Sequence, residues 1–321
     1  MTGPTDDVLF CTDTFYDANR ERVHAIAPDL GVLPLVAGQE VGPADVGRIT
    51  LAFFSHDAWP ERAPAYMSVA LQAPNLRWFH TMSAGVDHPV FTSMVERGIR
   101  LTTSSGSSAS PIAGTVMMYL LALSRDLPGR LRAQAAHDWD WRRWSELAGR
   151  RIAVVGYGPI GQEVVRLATA FGMRPTIVRR AAVGDEPAPV RPLAELVEVA
   201  ADTDALVVAL PLTEDTRGLI DRAVFDALPS HAFFVNVGRG ELVDQPALVE
   251  ALNGGSIAGA GIDVTDPEPL PADDPLWDAR NLILTPHNSG SSDGTGARAV
   301  EAFLDNLGRW VAGTPLANEV R

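Results

Sequence analysis

One cysteine, Cys11, stands among 321 residues, so no disulfide can form within the chain. The seven histidines show neither H-x-x-x-H nor carboxylate spacing, and no metal site is expected. Apolar runs stay short of the roughly 18 to 20 residues that a membrane span needs. The opening Met1-Thr-Gly-Pro-Thr-Asp-Asp7 lacks both the basic and the apolar segment of an export signal, which makes the cytoplasm the expected location. Positive charge is scarce too: 26 basic against 40 acidic residues give a formal net charge of -14. A phosphate lattice or an anionic bilayer would be repelled overall, so neither nucleic acid nor membrane is expected as a partner. There is no internal repeat, no low-complexity tract and no G-x-S-x-G nucleophile elbow; Ser105-Gly-Ser-Ser108 reads as loop.

What is present is strand and helix in alternation, over a length that fits two cores of about 100 to 200 residues each. Short apolar runs at 8–11, 49–54, 76–79 and 99–102 read as strands, with helical or loop segments such as 17–26 between them. A polar stretch of small residues, Thr102 to Pro111, reads as a domain crossing and leads into an apolar helix from Ile112 to about Leu127. Further strands are expected at 151–155, 175–178, 205–210, 232–236, 259–263 and 282–285, and a last helix at about 297–311. Such alternation implies parallel sheets, whose ligands sit beyond the carboxyl ends of the strands.

The strand 151–155 runs directly into Gly156-Tyr-Gly158-Pro159-Ile160-Gly161 and then a helical stretch, a G-x-G-x-x-G in its required context. The first glycine allows the tight turn, the second lets backbone approach a pyrophosphate, and the third lets helix and strand pack closely. N–H groups at the helix start meet the phosphate charge. An NAD site places an acid about 20 residues further on, to accept from the ribose hydroxyls. Here the next strand ends in Arg179-Arg180, a pair suited to a 2′-phosphate, which points to NADP(H). The competing reading has both arginines solvated and Asp185 or Glu186 folding back as the missing acid, which leaves NAD(H) possible.

Three later strand ends carry groups able to do chemistry. One is followed by Val237-Gly-Arg239-Gly240, the next by Val264-Thr-Asp-Pro-Glu268-Pro-Leu, the last by Pro286-His287-Asn288-Ser-Gly290. A guanidinium can clamp a carboxylate and polarise a carbonyl oxygen. If Glu268 orients and charges His287, the imidazolium becomes the proton donor to a carbonyl whose carbon takes a hydride. Taken singly, each has a bland reading, as solvated arginine, loop carboxylate and strand-capping imidazole. His56, His80 and His88 read as satisfied structural histidines, Arg217 as a surface residue, and Trp139, Trp141 and Trp144 as packing for a subunit contact.

These residues resemble the D-isomer-specific 2-hydroxyacid dehydrogenase family, and its glyoxylate/hydroxypyruvate reductase branch in particular. The likeness runs from about Asn75 to Gly290 through Ser83-Ala-Gly-Val-Asp87, Gly156 to Gly161, Leu210-Pro-Leu-Thr-Glu-Asp-Thr216, Asn236-Val-Gly-Arg-Gly240, Asp263 to Leu270 and Thr285-Pro-His287. The resemblance implies Arg239, Glu268 and His287 as the catalytic set. It implies that backbone N–H groups of Ser83, Ala84, Gly85 and Val86 meet the substrate carboxylate. Pro159, Ile160, Leu210, Pro211, Thr216, Val237, Asp263 and Gly290 are implied at the cofactor. The expected fold is α/β, with two doubly wound parallel-sheet domains: a Rossmann cofactor domain, 104–290, inserted in a flavodoxin-like substrate domain made of 1–103 and 291–321. The family is commonly homodimeric, and the implied substrate is a small 2-oxo acid or D-2-hydroxy acid. Departures are Arg179 where the family often has an acid, Pro159 where it often has arginine, and no Glu after Ala113. The alternatives are an NAD-linked member acting on another D-2-hydroxy acid and a dinucleotide-sensing corepressor-like binding protein.

Overall fold

A computed structural model describes residues 6–320, which form two compact units. The first combines residues up to Ser108 with those from Ser292 onward; the second is Ala109–Ser291. The first boundary falls five residues beyond the expected position because the segment after residue 103 is tied into the first unit. There Arg298 Nε donates to the carbonyl of Ser107 at 2.5 Å and Asn318 Nδ2 to that of Ser105 at 3.1 Å.

The first unit holds five parallel strands, β1 (Val8–Thr12), β2 (Gly31–Leu35), β3 (Leu51–Phe54), β4 (Trp78–Thr81) and β5 (Arg100–Thr103), in the order β2-β1-β3-β4-β5. This is the flavodoxin-like order, with its reversal between β1 and β3. The central strands β1 and β3 read as near-continuous apolar runs because both faces are covered. Leu9 and Cys11 enter one core while Phe10 enters the other; Leu51 and Phe53 divide in the same way from Ala52 and Phe54. The helix Thr295–Val311 brings the C-terminal segment back onto this sheet, where Phe303 stacks on Phe53 with ring centroids 4.2 Å apart.

The second unit holds seven parallel strands, β6 (Arg151–Val155), β7 (Arg174–Arg179), β8 (Val190–Pro192), β9 (Ala205–Val208), β10 (Phe233–Asn236), β11 (Gly259–Ile262) and β12 (Leu282–Leu284). Their order, β12-β11-β10-β9-β6-β7-β8, reverses between β6 and β9, the switch point at which doubly wound sheets bind dinucleotides. Helix Ala109–Ser124 lies directly on β11, where a Cβ on Gly261 would stand 2.4 Å from the Tyr119 ring. The two expected doubly wound sheets are therefore both present. Two strands, β2 and β8, go beyond the sequence reading, and both are edge strands. Pro34 and Pro192 interrupt their patterns, which an edge tolerates because one side of the strand makes no ladder. The helix expected over 112–127 is Ala109–Ser124, and a second helix, Leu127–Ala135, follows a break at Asp126 with φ of +50°. Among the described residues no helix is long and apolar enough to cross a membrane.

Candidate active site

The glycine loop is built as its chemistry requires. Gly156 has φ of +101°, and a Cβ there would lie 2.6 Å from the carbonyl oxygen of Ala209, so only glycine turns off β6 beside β9. A Cβ on Gly161 would stand 2.0 Å from the oxygen of Gly156, which locks the helix Pro159–Ala170 against the loop. Gly158 differs: no protein atom lies within 4 Å of its would-be Cβ. Its missing side chain leaves room at the N-terminus of a helix that no side chain caps, the place where a pyrophosphate fits. Pro159 occupies the first turn, Ile160 packs against the core beneath, and Val237 is buried beside them. Leu210 and Pro211 follow β9. The Thr216 hydroxyl shapes that same loop, donating to the carbonyl of Pro211 at 2.9 Å and accepting from the Thr213 N–H at 2.8 Å.

The loop after β10 is fixed from two directions. Asn236 Oδ1 accepts from the Gly238 N–H at 3.0 Å, and its Nδ2 donates to the Arg239 carbonyl at 2.9 Å. Gly240 then lies so close to the neighbouring loop that a Cβ would be 2.1 Å from the carbonyl carbon of Thr265. That contact joins the loop carrying Arg239 to the loop carrying Glu268. Glu268 in turn spans two tasks: Oε1 accepts from the Thr265 N–H at 3.1 Å, and Oε2 lies 2.7 Å from Nδ1 of His287. With Glu268 ionised, Nδ1 is the donor in the second contact, which leaves Nε2 as the other ring nitrogen. His287 is half exposed, and its backbone sits at φ of +49°.

Asp263 maintains that backbone. Its side chain is almost wholly buried and accepts from Thr285 Oγ1 at 2.5 Å, from the Asn288 N–H at 3.0 Å and from both the N–H and hydroxyl of Ser289. Its own carbonyl accepts from the His287 N–H at 2.7 Å. Tyr119 completes the set from the helix behind, its hydroxyl 2.5 Å from Thr285 Oγ1 and its pKa pushed up to about 12 chiefly by burial. Gly290 closes the same loop, half-buried. Tyr119, Thr285 and Ser289 escaped the sequence reading. The signal available for Tyr119 was the pairing of a large ring with the small residues of β11, legible only after helix and strand are placed together.

At the end of β7, Arg179 Nη1 donates to Glu186 Oε1 at 2.9 Å, whereas Arg180 is exposed. In the first unit, the loop Ser83 to Val86 follows β4 and folds on itself through a bond from the Ser83 hydroxyl to the carbonyl of Gly85 at 2.9 Å. His80 is buried between Thr102 and Ser104 hydroxyls, and burial drives its pKa down to about 3, so it is a neutral structural group. His88 caps a helix by accepting from the Val90 N–H.

The model of the D-isomer specific 2-hydroxyacid dehydrogenase NAD binding domain matches residues 117–289. The chain belongs to this family. The glyoxylate reductase/hydroxypyruvate reductase of Mus musculus is 33% identical over 260 residues, covering 77% of either chain. Among solved structures, the family member from Aeromonas salmonicida subsp. salmonicida A449 has a TM-score of 0.81 at 29% identity, covering 98% of this chain and 99% of its own. Another, from Xanthobacter autotrophicus Py2 in complex with NADPH and MES, has a TM-score of 0.79 at 29% identity, covering 99% and 98%. The chain is thus an NAD(P)-dependent 2-hydroxyacid dehydrogenase, an oxidoreductase acting on small 2-oxo or 2-hydroxy acids. This family member contains no lysine, all 26 basic residues being arginine.

Proposed function

We propose that this dehydrogenase reduces glyoxylate or hydroxypyruvate with NADPH, through Arg239, Glu268 and His287. The observation that carries the reading is the 2.7 Å pair between Glu268 and His287, held on a loop pinned to that of Arg239 by Gly240. Arg239 holds the carboxylate of the 2-oxo acid and draws electron density towards the carbonyl oxygen. Glu268 fixes the imidazole ring and complements the charge it carries when protonated, so that Nε2 delivers the proton to that oxygen. A nicotinamide cofactor held at the glycine loop would supply the hydride for the carbonyl carbon. In the reverse direction Nε2 accepts the hydroxyl proton of a D-2-hydroxy acid. Gly156, Gly158 and Gly161 form the pyrophosphate turn, and Arg179 with Arg180 receive the 2′-phosphate. NADPH in the Xanthobacter autotrophicus relative, and the glyoxylate/hydroxypyruvate reductase names among the relatives, support this choice. The exposed rings of Trp139 and Trp141, 95% and 74% accessible, support a homodimer that covers them.

Initial rates on glyoxylate, hydroxypyruvate, pyruvate and phenylpyruvate, each with NADPH and NADH, test the substrate. His287→Ala is expected to lower kcat by about 10²–10⁴ with NADPH affinity unchanged. A near-normal rate would remove the proton-donor role. The second reading, NADH with another 2-oxo acid, draws on the bond between Arg179 and Glu186, which supports Glu186 as the acid that an NAD site uses.

A further inference from the structure

The loop after β7 already contains a formed anion cradle, and one of the chain's own carboxylates lies in it. Three donors converge on Glu186: the Val183 N–H and Arg179 Nη1 reach Oε1 at 2.8 and 2.9 Å, and the Gly184 N–H reaches Oε2 at 2.8 Å. Gly184 has φ of +102°, a conformation that turns successive N–H groups to one side, as in the backbone nests that hold phosphates. The Glu186 side chain is only 3% exposed, against 30% for Arg179. The cradle also adjoins the glycine loop, since the Arg179 guanidinium lies 5.9 Å from the ring centroid of Tyr157, between Gly156 and Gly158.

Two N–H groups and a guanidinium are the donor set that a phosphate monoester recruits, and a carboxylate satisfies the same set with less charge. Both anions cannot share it. We propose that Glu186 is an internal surrogate for the cofactor's 2′-phosphate: it occupies the cradle of Arg179, Val183 and Gly184, must leave before that phosphate enters, and thereby sets the discrimination between phosphorylated and unphosphorylated cofactor. The inference rests on the NADP(H) reading above and deepens it. The Val183 and Gly184 N–H groups hold the Glu186 carboxyl below its usual range, as a cradle tuned to anions does. Asp185, exposed beside it, adds further negative charge. A surrogate that leaves the cradle open one time in ten lowers apparent affinity for the phosphate about tenfold.

The test uses the full-length protein and two fragments that need no oxo acid, 2′,5′-ADP and 5′-AMP, titrated by calorimetry. Glu186→Gln is expected to bind 2′,5′-ADP about tenfold more tightly than wild type, with 5′-AMP within about twofold. In the wild-type protein, 2′,5′-ADP is expected to move the carbon-13 resonance of the Glu186 carboxyl and 5′-AMP to leave it in place, a readout that survives if the variant folds poorly. Weaker or unchanged 2′,5′-ADP binding by E186Q, or a resonance unmoved at saturation, would overturn the proposal. A selective loss of 5′-AMP binding would instead make Glu186 the ribose acceptor of an NAD site. Failure to bind 2′,5′-ADP alongside intact oxo-acid reduction with NADH would also overturn it, while the reductase reading stood.

Discussion

Gly240 offers the sharpest test of how the site is assembled. Its φ lies outside the left-handed region, so alanine is excluded there by space alone. A Cβ would meet the carbonyl carbon and oxygen of Thr265 at 2.1 Å and the Asp266 nitrogen at 2.5 Å, whereas ordinary contact begins at 3.4 Å. The two loops must therefore separate by about 1.3 Å at that point. Overpacking of this kind costs about 1–3 kcal/mol. Misplacement of a reacting group by about 1 Å lowers turnover on the order of a hundredfold. Gly240→Ala is accordingly expected to lower kcat with glyoxylate and NADPH by about that factor, with a drop in Tm of about 2–4 °C per kcal/mol. Gly114→Ala is the control: it sits exposed on a helix with nothing within 4 Å of the new methyl, and gains about 1 kcal/mol in helix propensity. Wild-type kcat in G240A would refute the claim that this contact positions Arg239 against Glu268 and His287.

Three further outcomes are expected. Gly158→Ala should leave Tm unchanged, since its methyl meets no protein atom, while NADPH binding weakens by about tenfold or more; unchanged affinity would remove Gly158 from the cradle. Thr285→Val should cost about 1–3 kcal/mol and lower kcat, by taking from Asp263 a hydroxyl donor and from Tyr119 its near partner, measured by urea unfolding and steady-state rates. Burial raises the Asp204 carboxyl, but bonds from the Arg151 N–H and guanidinium and from His231 outweigh it and hold the pKa well below the usual range. A depressed carboxylate contributes stability that is full above its unfolded pKa of about 3.9 and is lost as pH falls towards the folded value. Asp204→Asn should therefore cost about 1.5–3 kcal/mol at pH 7, a gap that closes progressively below about pH 4; a gap constant with pH would refute the charge argument.

What was legible in the sequence followed from chain-local patterns. Buried central strands such as β1, β6 and β9 announce themselves because both faces are apolar, and Gly156, Gly158 and Gly161 because spacing and context coincide. The edge strands β2 and β8 were hidden by Pro34 and Pro192, residues that report on position within a sheet rather than on absence from it. Arg239, Glu268 and His287 could be named from three strand ends, and the structure adds the link between Glu268 and His287. The Tyr119–Thr285–Asp263 chain could not be read in advance, since its members come from a helix and two strand ends whose adjacency exists only once β11 and β12 pair. At Arg179 the residue type suggested a phosphate and the competing reading named Asp185 or Glu186 as an acid folding back; the structure pairs Arg179 with Glu186.

Glu268 is a single pin driven through two parts: one oxygen is fastened to its own main chain at Thr265 and the other to the imidazole. Its reach, three bonds from backbone to carboxyl carbon, has to satisfy both anchorages together. Shortening it to aspartate would release one end whichever was kept, so ring alignment and loop shape must vary as a unit.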